Sequence, residues 1–169
     1  MLEVERKYKL KYLPDLLDNY EREDIEQAYL NFGSKPAVRI RMINGIDCFL
    51  YCKSKKDNAN GFQVCEEYEI PLSKDAYTHL MMKIDGRVLR KRRYIIPLAQ
   101  ELKVELDLFE DFFDGVCIAE IEFPNEEIAN TFKLPDWIGE NISDDERIAN
   151  GFMAVKAKKI SEYKDLIIK

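Results

Sequence analysis

Charged side chains recur two residues apart in segment after segment of this chain. In a β-strand, residues i and i+2 point to the same face, so each such doublet marks one face of one strand. Glu3, Glu5 and Lys7 form the first set. Arg39 with Arg41, Lys53 with Lys55, Glu67 with Glu69, Lys91 with Arg93, Glu105 with Asp107, and Glu120 with Glu122 follow. Several of the opposite faces are apolar: Val38, Ile40 and Met42; Val104, Leu106 and Leu108; Ala119, Ile121 and Phe123. A chain patterned in this way is a largely antiparallel sheet with one polar face per strand.

The doublets are sorted by sign, and like charges side by side repel. Two arrangements remain open on periodicity alone. The charged faces meet water, as in an ordinary amphipathic sheet, or they line a polar lumen that holds a ligand of opposite charge. Acidic doublets suit a hard divalent cation, which takes oxygen ligands. Basic doublets suit a polyanion, because arginine offers forked bonds to phosphate oxygens. Residues 1–95 carry 18 basic and 15 acidic side chains, and residues 96–169 carry 8 and 17. The net charge of −6 argues against general nucleic-acid binding, but it leaves room for a basic site in the first part of the chain.

The remaining elements read as follows. Strands are predicted at 2–10, 25–32, 62–70 and 116–123. Residues 37–43 and 46–55 flank Asn44-Gly45, a strong hairpin signal. Residues 87–97 and 101–109 form a second hairpin. Pro14 opens a short helix through Asp24, and Ser73 caps another that runs to about Lys83. Asn125 starts a third, and the tail is helical from about residue 150. No linker or repeat interrupts residues 1–169, so one α+β domain is expected. There is no apolar run long enough for a transmembrane helix and no secretory signal at the start. One histidine rules out a multi-histidine metal site, and Cys48, Cys52, Cys65 and Cys117 form no CxxC pair. The expected location is the cytoplasm, with no membrane or nucleic-acid partner.

The doublets also stand in an order that resembles a known family. Glu3-Val4-Glu5-Arg6-Lys7 matches the ExExK signature of the triphosphate tunnel metalloenzymes, or CYTH superfamily. In the same order come IEQAYL (25–30), VRIR (38–41), LYCK (50–53), EYEIPL (67–72), KRRY (91–94), VELD (104–107), AEIE (119–122), LPDWIG (134–139) and DERIAN (145–150). The pattern is most similar to the short bacterial inorganic triphosphatase branch. The resemblance implies a closed eight-stranded antiparallel β-barrel. Its tunnel binds a triphosphate, most simply tripolyphosphate, together with Mg²⁺ or Mn²⁺. It implies metal ligands at Glu3, Glu5, Asp107, Glu120 and Glu122, and phosphate contacts at Lys7, Arg39, Arg41, Lys53, Lys91 and Arg93. Catalytic roles fall to Glu3, Glu5, Lys7, Glu67 and Glu69.

The chain departs from the family pattern in places. Tyr51 and Cys52 replace Thr and Ile before the lysine, Asn141-Ile142-Ser143 replaces EVT, and Ile148-Ala149 replaces Tyr-Ser. Three other activities fit the same resemblance: a class IV-type adenylate cyclase, a thiamine or nucleoside triphosphatase, and a non-catalytic polyphosphate-binding module. The cyclase pattern begins with His-Phe ahead of ExExK, for which there is no room before Glu3. The only tryptophan, Trp137, reads as a packing residue, as does His79. In the tail, Lys156, Lys158 and Lys159 are either a solvated helix face or further phosphate contacts. The oligomeric state stays open, a homodimer being one form.

Overall fold

The computed structural model describes residues 4–57 and 63–168, and the side chains of these outside 54–67. Glu3 and the side chain of Glu67 therefore lie outside the described residues. The element order is β1 (Val4–Leu10), β2 (Glu21–Tyr29), β3 (Ala37–Ile43), β4 (Asp47–Asp57), β5 (Gln63–Leu72), α1 (Lys74–Met81), β6 (Asp85–Pro97), β7 (Lys103–Phe109), β8 (Cys117–Phe123), α2 (Glu126–Thr131), β9 (Ile138–Asn141) and α3 (Asn150–Val155). Hydrogen-bonded ladders run in the order β5-β4-β3-β2-β6-β7-β8-β1-β9.

The mostly antiparallel architecture agrees with the expectation, but two details do not. There are nine strands among the described residues rather than eight, and the sheet is not closed. The ninth strand, Ile138–Asn141, pairs with β1 through a register shift between Tyr8 and Leu10. Four residues are too few for alternation to announce them. The helix expected from Pro14 to Asp24 shrinks to a 3₁₀ turn at Leu17–Asn19, and β2 begins at Glu21. Asp24 is bound to the β3–β4 turn, its N–H donating to Asn44 Oδ1 at 2.9 Å and its carbonyl accepting from the Asn44 N–H at 2.8 Å, which carries the strand back over residues with a weak helical preference.

The chain divides into two compact units, neither contiguous in sequence. One comprises residues 1–23, 91–148 and 158–169, and the other residues 24–90 and 149–157. In the first unit, the apolar faces of β1, β6, β7 and β8 make the core. Tyr8, Tyr94, Ile96, Val104, Leu106, Ala119, Ile121 and Phe123 are buried there, with Trp137 packed against them. Asn125 caps α2 by accepting from the Ile128 N–H at 2.9 Å. The end of the chain also joins this unit, through a 3₁₀ segment at Ile160–Leu166. There Tyr163 meets Phe113 edge-on at 5.1 Å and donates its hydroxyl to the Arg147 carbonyl at 3.0 Å. Arg147 in turn donates to Asp145 and Asp165. The helical tail expected from residue 150 is thus two short pieces, α3 and this 3₁₀ segment.

In the second unit, Ala28, Ile40, Cys48 and Tyr77 form the core beneath α1. Ser73 accepts from the Ala76 N–H at 3.2 Å, capping α1. Gly86, the second residue of β6, has φ +74, and a Cβ there would lie 2.3 Å from the Ala154 carbonyl oxygen on α3. Only glycine meets both demands. Among the described residues, no helix is long and apolar enough to cross a membrane.

Candidate functional site

In the first unit the strand register places the charged doublets on one continuous face. Residues directly opposite across a ladder share a face, and the pairs are Glu5 with Glu122, Lys7 with Glu120, Glu105 with Glu120, and Arg93 with Asp107. Two of these four pairs set carboxylate against carboxylate. Such a face is stable only if cations sit among the carboxylates.

Lys7 supplies one of them. Its ammonium donates to Glu120 at 2.6 Å and contacts Glu5 at 2.7 Å. Burial disfavours the Lys7 ammonium, but Glu120 and Glu5 outweigh that penalty and hold its pKa above the ordinary lysine value. Glu120 shows the converse. Burial opposes its charge, yet Lys7 and Arg93 keep its pKa below the usual carboxylate value.

Asp107 is deeper. It accepts from Arg93 Nε at 2.7 Å, from Arg93 Nη2 at 2.8 Å and from Lys91 Nζ at 2.5 Å. All three residues are buried. Burial alone would raise the Asp107 pKa, but Arg93 and Lys91 hold it well below the ordinary range. Arg93 also donates to Glu105, which Lys103 contacts at 2.9 Å. The structure gives Asp107 two cations as partners. Among the described residues, one cluster of acidic side chains brings its oxygens close enough together to hold a metal.

That cluster is Glu5, Glu120 and Glu122, whose carboxylate oxygens lie within 4.8 Å of one another. An octahedral Mg²⁺ with oxygen ligands at about 2.1 Å keeps those oxygens about 3 to 4 Å apart. Closing the cluster onto an ion thus needs shifts of an ångström or so. All-carboxylate donors fit a hard cation and disfavour a soft one.

The second unit holds the Arg39–Arg41 doublet. Arg39 and Arg41 stand on one face of β3, with Tyr29 and Gln27 opposite them on β2 and Tyr51 and Phe49 opposite on β4. Arg41 donates to Gln27 Oε1 from Nε at 3.0 Å and from Nη2 at 2.8 Å. Both guanidinium groups lie 5.0 Å from the Tyr51 ring centroid. Lys53 is half-buried on β4, opposite Ala37 and Glu67. Glu69 is exposed and faces Tyr51 across the ladder. Lys156, on the tail, lies 5.5 Å over the Phe32 ring.

Three residues outside the predicted set share these faces. Glu105 was signalled by its place two residues before Asp107. Gln27 was signalled less clearly, as a polar residue two before Tyr29. Tyr51 was visible only as a departure from the family pattern.

Comparison with known proteins places this geometry in a family. A family model described as the CYTH domain matches residues 1–161. The inorganic triphosphatase of Nitrosomonas europaea is 30% identical over 156 residues, which is 92% of this chain and 98% of that protein. An inorganic triphosphatase of Acetivibrio thermocellus is 34% identical over 125 residues, covering 73% and 75%. A crystal structure of an inorganic triphosphatase matches with a TM-score of 0.71 at 28% identity, over 93% of this chain and 97% of that one. With a family model spanning nearly its whole length and a relative matched end to end, the chain belongs to the CYTH domain family.

Proposed function

We propose that this chain hydrolyses a phosphoanhydride bond of inorganic tripolyphosphate, yielding pyrophosphate and phosphate with Mg²⁺ or Mn²⁺ as the cofactor. The observation that carries the reading is the trio of Glu5, Glu120 and Glu122 on adjacent strands, in a chain whose relatives are named inorganic triphosphatases. Mere anion binding would gain nothing from carboxylates gathered on the same face as Lys91 and Arg93.

In this reading Glu5, Glu120 and Glu122 hold the metal, and Glu3 joins them by its place in ExExK. Bound there, a divalent cation supplies charge neutralisation to phosphate oxygens. The chain's own cations do the remaining electrostatic work. Lys7, Lys91 and Arg93, with Arg39, Arg41 and Lys53, bind substrate oxygens and stabilise charge as the P–O bond breaks. Asp107 acts by orientation, fixing Lys91 and Arg93 from beneath. Glu67 and Glu69 orient the attacking water. No side-chain nucleophile takes part. The reading includes a small polyphosphate as partner and a cytoplasmic setting, supported by free thiols at Cys48, Cys52 and Cys117.

The test is a substrate panel of tripolyphosphate, ATP, thiamine triphosphate and long polyphosphate, assayed with Mg²⁺ and with Mn²⁺, scoring phosphate and cyclic AMP separately. Phosphate release from tripolyphosphate is the expected result. No phosphate from tripolyphosphate with either metal refutes the proposal, and cyclic AMP from ATP replaces it with a cyclase.

A further inference from the structure

Tyr51 stands where the family strand carries threonine, and its surroundings give the exchange a physical meaning. Its ring is buried and lies 5.0 Å from the guanidinium carbons of both Arg39 and Arg41. We propose that Tyr51 is a positioning residue, whose ring holds the Arg39 and Arg41 guanidinium groups side by side to receive adjacent oxygens of a bound polyphosphate. The inference rests on the reading above that these arginines bind phosphate.

Two like charges at i and i+2 on one strand repel, and left alone their side chains would splay. The face of an aromatic ring is negative and attracts a cation. One ring that meets both guanidinium groups offsets the repulsion through its face, and so fixes their planes without itself consuming an N–H donor. Threonine has no such face.

The ring itself is held from two sides. Tyr51 lies directly opposite Arg39 on β3 and Glu69 on β5. Arg41 is pinned further by the buried Gln27, whose Nε2 donates to the Tyr29 hydroxyl at 3.2 Å. The arginines are thus ordered before any ligand arrives, and binding need not supply that ordering.

The experiment uses the full chain with tripolyphosphate as the probe. Affinity is read without metal by calorimetry, and KM and kcat are read with Mg²⁺. Tyr51→Met removes the π face at similar volume and should weaken tripolyphosphate binding about fivefold or more, because binding must then supply the ordering of two rotamer-rich side chains. The loss should appear in KM more than in kcat. Tyr51→Phe keeps the ring and should stay within about twofold of wild type. Wild-type affinity in Tyr51→Met overturns the proposal. So does an equal loss in Tyr51→Phe, which would assign the effect to the hydroxyl and Glu69.

Arg39→Ala separates this inference from the reading beneath it. If Arg39→Ala binds tripolyphosphate like wild type, the phosphate-binding assignment fails. If Arg39→Ala weakens binding and Tyr51→Met does not, only the ring's role fails. Tyr51→Leu is measured alongside in case Tyr51→Met does not fold. Failure of both to fold assigns the ring to the core and also overturns the proposal.

Discussion

Asp107→Asn is the substitution whose cost follows most directly from the geometry. Asp107 is 4% exposed and receives three hydrogen bonds, one from Lys91, itself 2% exposed, and two from Arg93, 8% exposed. Asparagine matches the shape but brings no charge, and its amide sets an N–H₂ group against a cation. Lys91 then loses the carboxylate it contacts at 2.5 Å, and Arg93 loses the charge on the group that accepts two of its N–H bonds. Removing one partner of a buried ion pair costs about 3–5 kcal/mol. For a chain of 169 residues, each kcal/mol moves Tm by about 2–4 °C, so the melting point should fall by about 10 °C. Calorimetry at neutral pH reads this directly.

Two companion measurements isolate the cause. If the cost comes from burying the Lys91 ammonium without this carboxylate, Lys91→Met added to Asp107→Asn should recover part of the lost stability. The pH dependence should also change. The folded pKa of Asp107 is depressed, so its contribution is present above the unfolded value of about 3.9 and fades as pH falls from there through the folded value. Asp107→Asn should lack this part of the acid-side slope. A melting point within about 3 °C of wild type, with an unchanged acid slope, would refute the reasoning.

Three further outcomes are expected. Mg²⁺ or Mn²⁺ should raise the melting temperature of the wild-type chain by relieving repulsion among Glu5, Glu120 and Glu122, and a flat titration would contradict the metal assignment. Glu122→Gln should fold normally, lose that metal-induced shift and lose tripolyphosphatase activity together; retention of both would remove Glu122 from the site. Gly86→Ala should destabilise the chain by about 2 kcal/mol or more, because it combines a positive φ with a Cβ 2.3 Å from a backbone oxygen; an unchanged thermal melt would argue against that backbone conformation.

Much of the fold was legible because strands carry their signature locally. The hairpin around Asn44-Gly45, the Ser73 cap and the charged faces of β1, β3, β7 and β8 were all readable two to four residues at a time. The misreadings have equally local causes. Residues 14–24 carry no decisive period, so only the pairing of the strand that follows settled their structure. β9 was invisible because four residues do not make a pattern.

The site divides along the same line. Period-two alternation determined that Glu5 and Lys7, Arg39 and Arg41, or Glu120 and Glu122 share a face, since that follows from the covalent geometry of an extended chain. Register decided which of these meet. It set Glu5 against Glu122 and Glu120 against both Lys7 and Glu105, and a shift of one residue would have turned every one of them to the other face. It also brought Asp107 to Lys91 and Arg93, and Tyr51 against the two arginines. A carboxylate reads the same in sequence whether it will bind a metal or a lysine. The neighbour that non-local hydrogen bonding puts beside it makes the choice.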